Sequence, residues 1–133
     1  WFLSLKLFNR QDSLISSNLY WLHQSHDFTD LHQMPQASVH ASVNMHPMET
    51  QSRIDVTLSN PTDQLAFFLY LELRDRKTRK SVVPVYWSDN YFSLEPGQIR
   101  TVKVNVDQCD MMTAPFLRIS GWNVPPIELN PGL

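Results

Sequence analysis

VVPVYWSDNYFSLEPGQIRTVKVNV, residues 82–106, is the stretch whose reading decides the fold. Val83, Val85 and Trp87 alternate with Pro84 and Tyr86, the period-two pattern of a sheet strand. Ser88, Asp89 and Asn90 interrupt it with short side chains that bond nearby backbone and tolerate turn geometry. Tyr91, Phe92, Ser93 and Leu94 resume an extended run. Glu95-Pro96-Gly97-Gln98 then puts proline and glycine at the two central positions of a type II turn. Val102, Val104 and Val106 share one face of the next strand, with Arg100, Thr101, Lys103 and Asn105 around them. Strand, polar break, short strand, turn, strand is the order of a β-sandwich and not of a catalytic loop.

The flanking sequence repeats this rhythm. On the N-terminal side, residues 65–73 (LAFFLYLEL) set Phe67, Leu69, Leu71 and Leu73 on one face and Ala66, Phe68 and Tyr70 on the other. Apolar residues on both faces predict a central strand, or a face covered by a neighbouring domain. Residues 74–80 (RDRKTRK) hold five of the chain's 11 Lys and Arg and read as a solvated hairpin tip. Earlier still, Ile54, Val56 and Leu58 share a face closed by the turn signal Ser59-Asn60-Pro61-Thr62-Asp63. Ala37, Val39, Ala41, Val43 and Met45 share another. On the C-terminal side, residues 107–115 read as an irregular connection with a methionine pair at 111 and 112. Residues 116–124 (FLRISGWNV) form the last strand, with Leu117 and Ile119 on one face, and Val124-Pro125-Pro126 stops it because proline cannot donate to a ladder. The spacing predicts an all-β fold, an immunoglobulin-like antiparallel β-sandwich of about seven strands.

Leu3, Leu5 and Leu7, the polar turn from Asn9 to Asp12, and a second extended run over 14–22 predict an extra N-terminal β-hairpin. Residues 23–35 (HQSHDFTDLHQMP) have no clean period and read as a connector with one helical turn near 27–31. The expected divisions are 1–22, the hairpin; 23–35, the connector; 36–124, the sandwich; and 125–133, a tail. A strand pattern that begins at Trp1, with no basic segment or cleavage site before it, is expected of a chain cut from a longer one.

A chain of 133 residues suits one domain with a fragment of a second. Its net charge of −2 offers no basic patch, so neither nucleic acid nor anionic lipid is an expected partner. The single cysteine, Cys109, excludes an internal disulfide. No run approaches the ~18 apolar residues of a membrane span.

Chemistry is sparse. Three glycines leave no phosphate-cradling loop and no nucleophile elbow. Cys109 reads as an idle thiol with no helix start beside it. His23, His26 and His32, with Asp27 and Asp30, fall in the connector at spacings that do not specify a zinc site; His40 and His46 face outward. Glu49, Glu72, Glu95 and Glu128 are the only glutamates, and nothing in the sequence brings two together as a glycosidase pair. Trp21 and Trp122 read as packed. No catalytic residue, metal or cofactor is therefore expected. The candidate ligand or domain-interface residues are Trp87, at its strand end, with Asp89, Asn90, Tyr91 and Phe92.

The run over 82–104, preceded by NPTDQLAFFLYLELRD and followed by LRISGWNV, resembles the C-terminal immunoglobulin-like domain of glycoside hydrolase family 2 enzymes. The branch is that of the exo-β-D-glucosaminidases and mannosylglycoprotein endo-β-mannosidases, with β-mannosidases close by. Ser88–Leu94 with Pro96 and Gly97, Ala66-Phe67-Phe68 after an Asn-Pro turn, and Ser120-Gly121-Trp122-Asn123 carry the likeness. Leu19-Tyr20-Trp21-Leu22 resembles the strand that closes the preceding sandwich in those enzymes. The resemblance implies a catalytic (β/α)₈ barrel upstream that holds both catalytic glutamates. It also implies an exported or periplasmic parent, and a chain that is a non-catalytic accessory domain packed on the other domains. Two other readings stay open: a carbohydrate-binding module that uses aromatics around Trp87, and a stand-alone immunoglobulin-like interaction domain.

Overall fold

The computed structural model describes residues 1–25, 27–111 and 114–131, and of Gln108 the backbone alone. The chain divides into two units, Trp1–Met34 and Pro35–Leu133. The first is a hairpin of β1 (Phe2–Phe8) and β2 (Leu14–Trp21), paired antiparallel from Phe2 opposite Trp21 to Phe8 opposite Leu14. The Asn9 side chain closes its turn, accepting the backbone N–H of Gln11 at 2.9 Å and of Ser13 at 2.8 Å. A 3₁₀ turn, Thr29–Gln33, follows at the position where a helical turn is predicted. The Asp27 carboxylate accepts the Thr29 N–H at 3.0 Å, and that bond holds its pKa below the usual value. No strand residue of the hairpin is buried; Leu5, Leu7 and Ile15 are each more than half exposed.

The second unit is two four-stranded antiparallel sheets. One has the order β10-β9-β5-β7 and the other β3-β4-β8-β6. The strands are β3 (His40–Pro47), β4 (Gln51–Ser59), β5 (Ala66–Arg74), β6 (Tyr86–Trp87), β7 (Phe92–Leu94), β8 (Ile99–Asp107), β9 (Phe116–Ser120) and β10 (Ile127–Leu129). In β4 and β8 the period-two reading holds to the residue. Ile54, Val56 and Leu58 and, opposite, Val102, Val104 and Val106 are all buried, while their neighbours face outward. They meet Leu69, Leu71, Leu73, Leu94, Leu117 and Ile119 of the other sheet in one core. This is the predicted immunoglobulin-like β-sandwich.

The type II turn forms as read: Gln98 N–H donates to the Glu95 carbonyl at 3.0 Å, and Gly97 takes φ +72°. Asn60 is 1% exposed and ties this turn to the previous one. Its Nδ2 donates to the carbonyls of Gln64 (2.7 Å) and Leu94 (2.9 Å), and its Oδ1 accepts the N–H and hydroxyl of Thr62.

Five details differ from the sequence reading. The strand expected over 83–87 shrinks to Tyr86–Trp87, with Val83 74% exposed, because Pro84 has no N–H for a ladder. In β5 a bulge sets Phe67 and Phe68 against the single residue Ser93. Ala66, not Phe67, therefore joins Leu69, Leu71 and Leu73 in the core. The strand expected over 116–124 ends at Ser120, ahead of Pro125 and Pro126, and the sheet goes on beyond them, since β10 pairs with β9 as a new edge. Residues 108–111 form one helical turn, so Cys109 sits on a helix and is exposed. Trp21 and Trp122 are 44% and 49% exposed rather than packed; after β9 it is Val124 that returns to the core. Met112 and His26 lie outside the described residues.

Candidate functional site

The five candidate residues do not converge. Trp87 is half-buried against the core from the β3-β4-β8-β6 sheet. Asp89 is in an ion pair with Arg100, and its Oδ1 accepts the Asn90 N–H at 2.8 Å. The Asn90 amide acts as a piece of strand: its Oδ1 accepts the Leu71 N–H and its Nδ2 donates to the Leu71 carbonyl, both at 2.9 Å. Its side chain continues the β5 ladder past the end of β7, so it holds β5 and does not reach toward solvent. Phe92 is 7% exposed, turned into the core, with the Arg100 guanidinium 4.5 Å above its ring. Of the five, only Tyr91 projects outward, at 56% exposure.

Tyr91 joins a cluster that periodicity alone does not reveal. Its ring stacks on that of Tyr70, with centroids 4.9 Å apart and 20° between the planes, and meets Phe68 at 5.5 Å. Phe68 in turn lies 5.8 Å from Phe67. All four rings belong to the outer side of the β10-β9-β5-β7 sheet. Tyr70 is shielded by this packing; desolvation first, then the nearby Glu72 carboxylate and Tyr91, push its phenol pKa above the ordinary value. The signal that could have found the cluster was the double aromatic Phe67-Phe68, an odd number of residues from Tyr70 at one position and an even number at the other.

The same face is charged farther along the strands. Glu72, Arg118 and Glu128 stand in one cross-strand row of β5, β9 and β10. Glu72 is 8% exposed, pairs with Arg74 at 2.7 Å and accepts the Ser81 hydroxyl. Desolvation raises its pKa, but the Ser81 and Arg74 hydrogen bonds and the Arg74 and Arg118 charges outweigh that, and the net shift is downward. Arg79 pairs with Glu128 at 2.6 Å and sits 4.2 Å over the Phe116 ring; Arg76 donates to Asn130 at 2.5 Å. The basic tip is exposed, as the sequence reading has it, and from it Arg76 and Arg79 reach Asn130 and Glu128. Among the described residues no three His, Cys, Asp or Glu side chains are grouped to hold a metal ion. In the hairpin unit, His23 pairs with Asp30 at 3.5 Å at the edge of an open cleft of about 460 Å³ lined by Trp1, Trp21, Phe28 and Leu31.

The remaining quoted motif is structural. Asn123 Oδ1 accepts the Phe67 N–H at 2.9 Å, and its Nδ2 donates to the carbonyls of Pro35 and Leu65 at 2.7 and 2.8 Å. A Cβ on Gly121 would lie 2.9 Å from the Phe67 carbonyl oxygen, closer than side-chain carbons come to backbone.

Two antiparallel sheets around a valine- and leucine-rich core, pinned at their loops by asparagine side chains, define an immunoglobulin-like β-domain. A family model described as the exo-β-D-glucosaminidase Ig-fold domain matches residues 18–124, and the chain belongs to that family. An exo-β-D-glucosaminidase of Arthroderma benhamiae is 29% identical over 142 residues, covering 92% of this chain and 15% of the fungal protein. A mannosylglycoprotein endo-β-mannosidase of Lilium longiflorum is 32% identical over 65 residues, covering 44% of this chain and 7% of its own. The crystal structure of the exo-chitosanase CsxA of Amycolatopsis orientalis superposes with a TM-score of 0.85 at 27% identity, over 97% of this chain and 18% of that one. The chain spans less than a fifth of the length of each of these proteins.

Proposed function

We propose that the chain is a non-catalytic accessory domain of a multidomain glycoside hydrolase acting on β-glucosaminides, and that it packs on the other domains of that enzyme. The observation that carries this reading is the family match over 18–124 in a chain that spans 15% and 18% of two glucosamine-releasing relatives. The hairpin supports it. A lone two-stranded hairpin is marginal in water, and this one leaves Leu5, Leu7, Phe8, Leu14 and Ile15 each more than half exposed. Residues 1–22 then serve as the closing hairpin of a preceding sandwich, which supplies the cover those side chains lack. The described carboxylates Glu72, Asp89 and Glu128 are held in ion pairs and act as fasteners of the fold.

The test compares the chain with its full-length parent on aryl β-glucosaminide and aryl β-mannoside. An active parent and an inert chain are expected, with glucosaminide the faster substrate. Turnover by the chain alone overturns the accessory role. A parent that prefers the mannoside favours the second reading, a β-mannosidase parent, which the likeness to the lily enzyme supports.

A further inference from the structure

We infer that Tyr91, Tyr70 and Phe68 form a glycan-binding platform that stacks on the pyranose faces of a β-linked oligosaccharide. This goes beyond the accessory role, which stands whether or not the platform binds anything.

The first observation is backbone strain. Five non-glycine residues among those described have positive φ, and two are aromatic: Phe68 at +54° and Tyr91 at +57°. Bulky residues seldom take this left-handed conformation. Here both do, Phe68 within β5 and Tyr91 just before β7, and their rings meet at 5.5 Å. The bulge turns Phe68 out of the sheet, and the strained residue before β7 lays Tyr91 flat on Tyr70. Strain that persists at two touching positions marks a surface the fold holds in place.

The second observation is size. An aromatic side chain carries on the order of 200 Å², so the open parts of these three rings come to about 200–250 Å². With Phe68 37% and Tyr91 56% exposed, that is the footprint of one or two sugar rings. A stable protein–protein contact takes about 800 Å² per partner. The outer face does not extend the patch to that size along β9 and β10, where Arg79 covers Phe116 and pairs with Glu128. The area favours a small flat ligand over a neighbouring domain.

The third is chemistry. The electron-rich face of Tyr91 suits the C–H face of a pyranose, and an amino sugar adds its ammonium charge. The two stacked tyrosines also carry phenol hydroxyls, which can donate to and accept from sugar hydroxyls.

The experiment is an NMR titration of the 133-residue chain with a β-1,4-linked glucosamine hexamer, and in parallel with cellohexaose. Saturable shifts centred on the rings of Phe68, Tyr70 and Tyr91 are expected at submillimolar to millimolar sugar. The variant Tyr91→Asn keeps a residue that tolerates positive φ, and should lose about tenfold or more in affinity while melting as the parent chain does. Should that variant fail to fold, the shift map on the unaltered chain decides. No saturable shift with either sugar, shifts centred elsewhere, or a folded Tyr91→Asn chain that binds undiminished each overturns the inference.

Discussion

Asn60, Asn90 and Asn123 do the same work at three corners of the sandwich: each amide replaces a missing stretch of ladder. Asn90 gives Leu71 both hydrogen bonds that a neighbouring strand would give. Asn90→Ala strands a buried donor and acceptor, and should cost about 2–3 kcal/mol in chemical denaturation. Asn90→Asp should also destabilise despite its shape, because a carboxylate would face the Leu71 carbonyl. Gly121→Ala should cost about 1–3 kcal/mol by crowding the Phe67 carbonyl. Glu72 makes acid stability readable. Its folded-state pKa lies below the ordinary 4.5, so its ion pairing contributes above that pH and is lost as pH falls through the lower folded value. Stability should decline below about pH 4.5, and Glu72→Gln should flatten that part of the curve while lowering the plateau at neutral pH.

At the scale of elements, regular strands were legible and irregular ones were not. In β4 and β8 unbroken alternation of Val and Ile with polar residues left one register that buries the apolar set. In β5 alternation pointed Phe67 inward, but the extra residue of the bulge put Ala66 in the core instead. A bulge has no signature in the composition of a run of apolar residues. For the same reason Trp87, Asp89, Asn90, Tyr91 and Phe92 read as one candidate ligand or interface group, although the chain sends Phe92 inward, Asn90 sideways and Tyr91 outward. Their directions depend on β5, 19 residues away at the Asn90–Leu71 contact. Substitutions should separate the two kinds of aromatic position. Leu71→Ala should cost about 2–5 kcal/mol. Phe68→Gly should cost much less than Phe67→Ala, because glycine relieves the positive φ at Phe68 while Phe67 is 2% exposed. Urea unfolding of the three variants checks the order.

For the whole molecule, every core residue of the sandwich lies between Ala37 and Val124. Residues 35–133 should therefore unfold cooperatively without residues 1–34, at a denaturant midpoint close to that of the longer chain. The hairpin alone should show no cooperative transition.

The lengths of the outer strands carry a consequence for self-association. Three of the sandwich's four borders, β6, β7 and β10, are two or three residues long. Only β3, with eight residues, presents an extended line of unpaired backbone. Amyloid-like growth needs such a line as a template, and short borders deny it. Crowding many copies together thus leaves this sandwich one seam along which a sheet could continue into its neighbour, and a proline placed at Ala41, whose N–H faces away from β4, would close it.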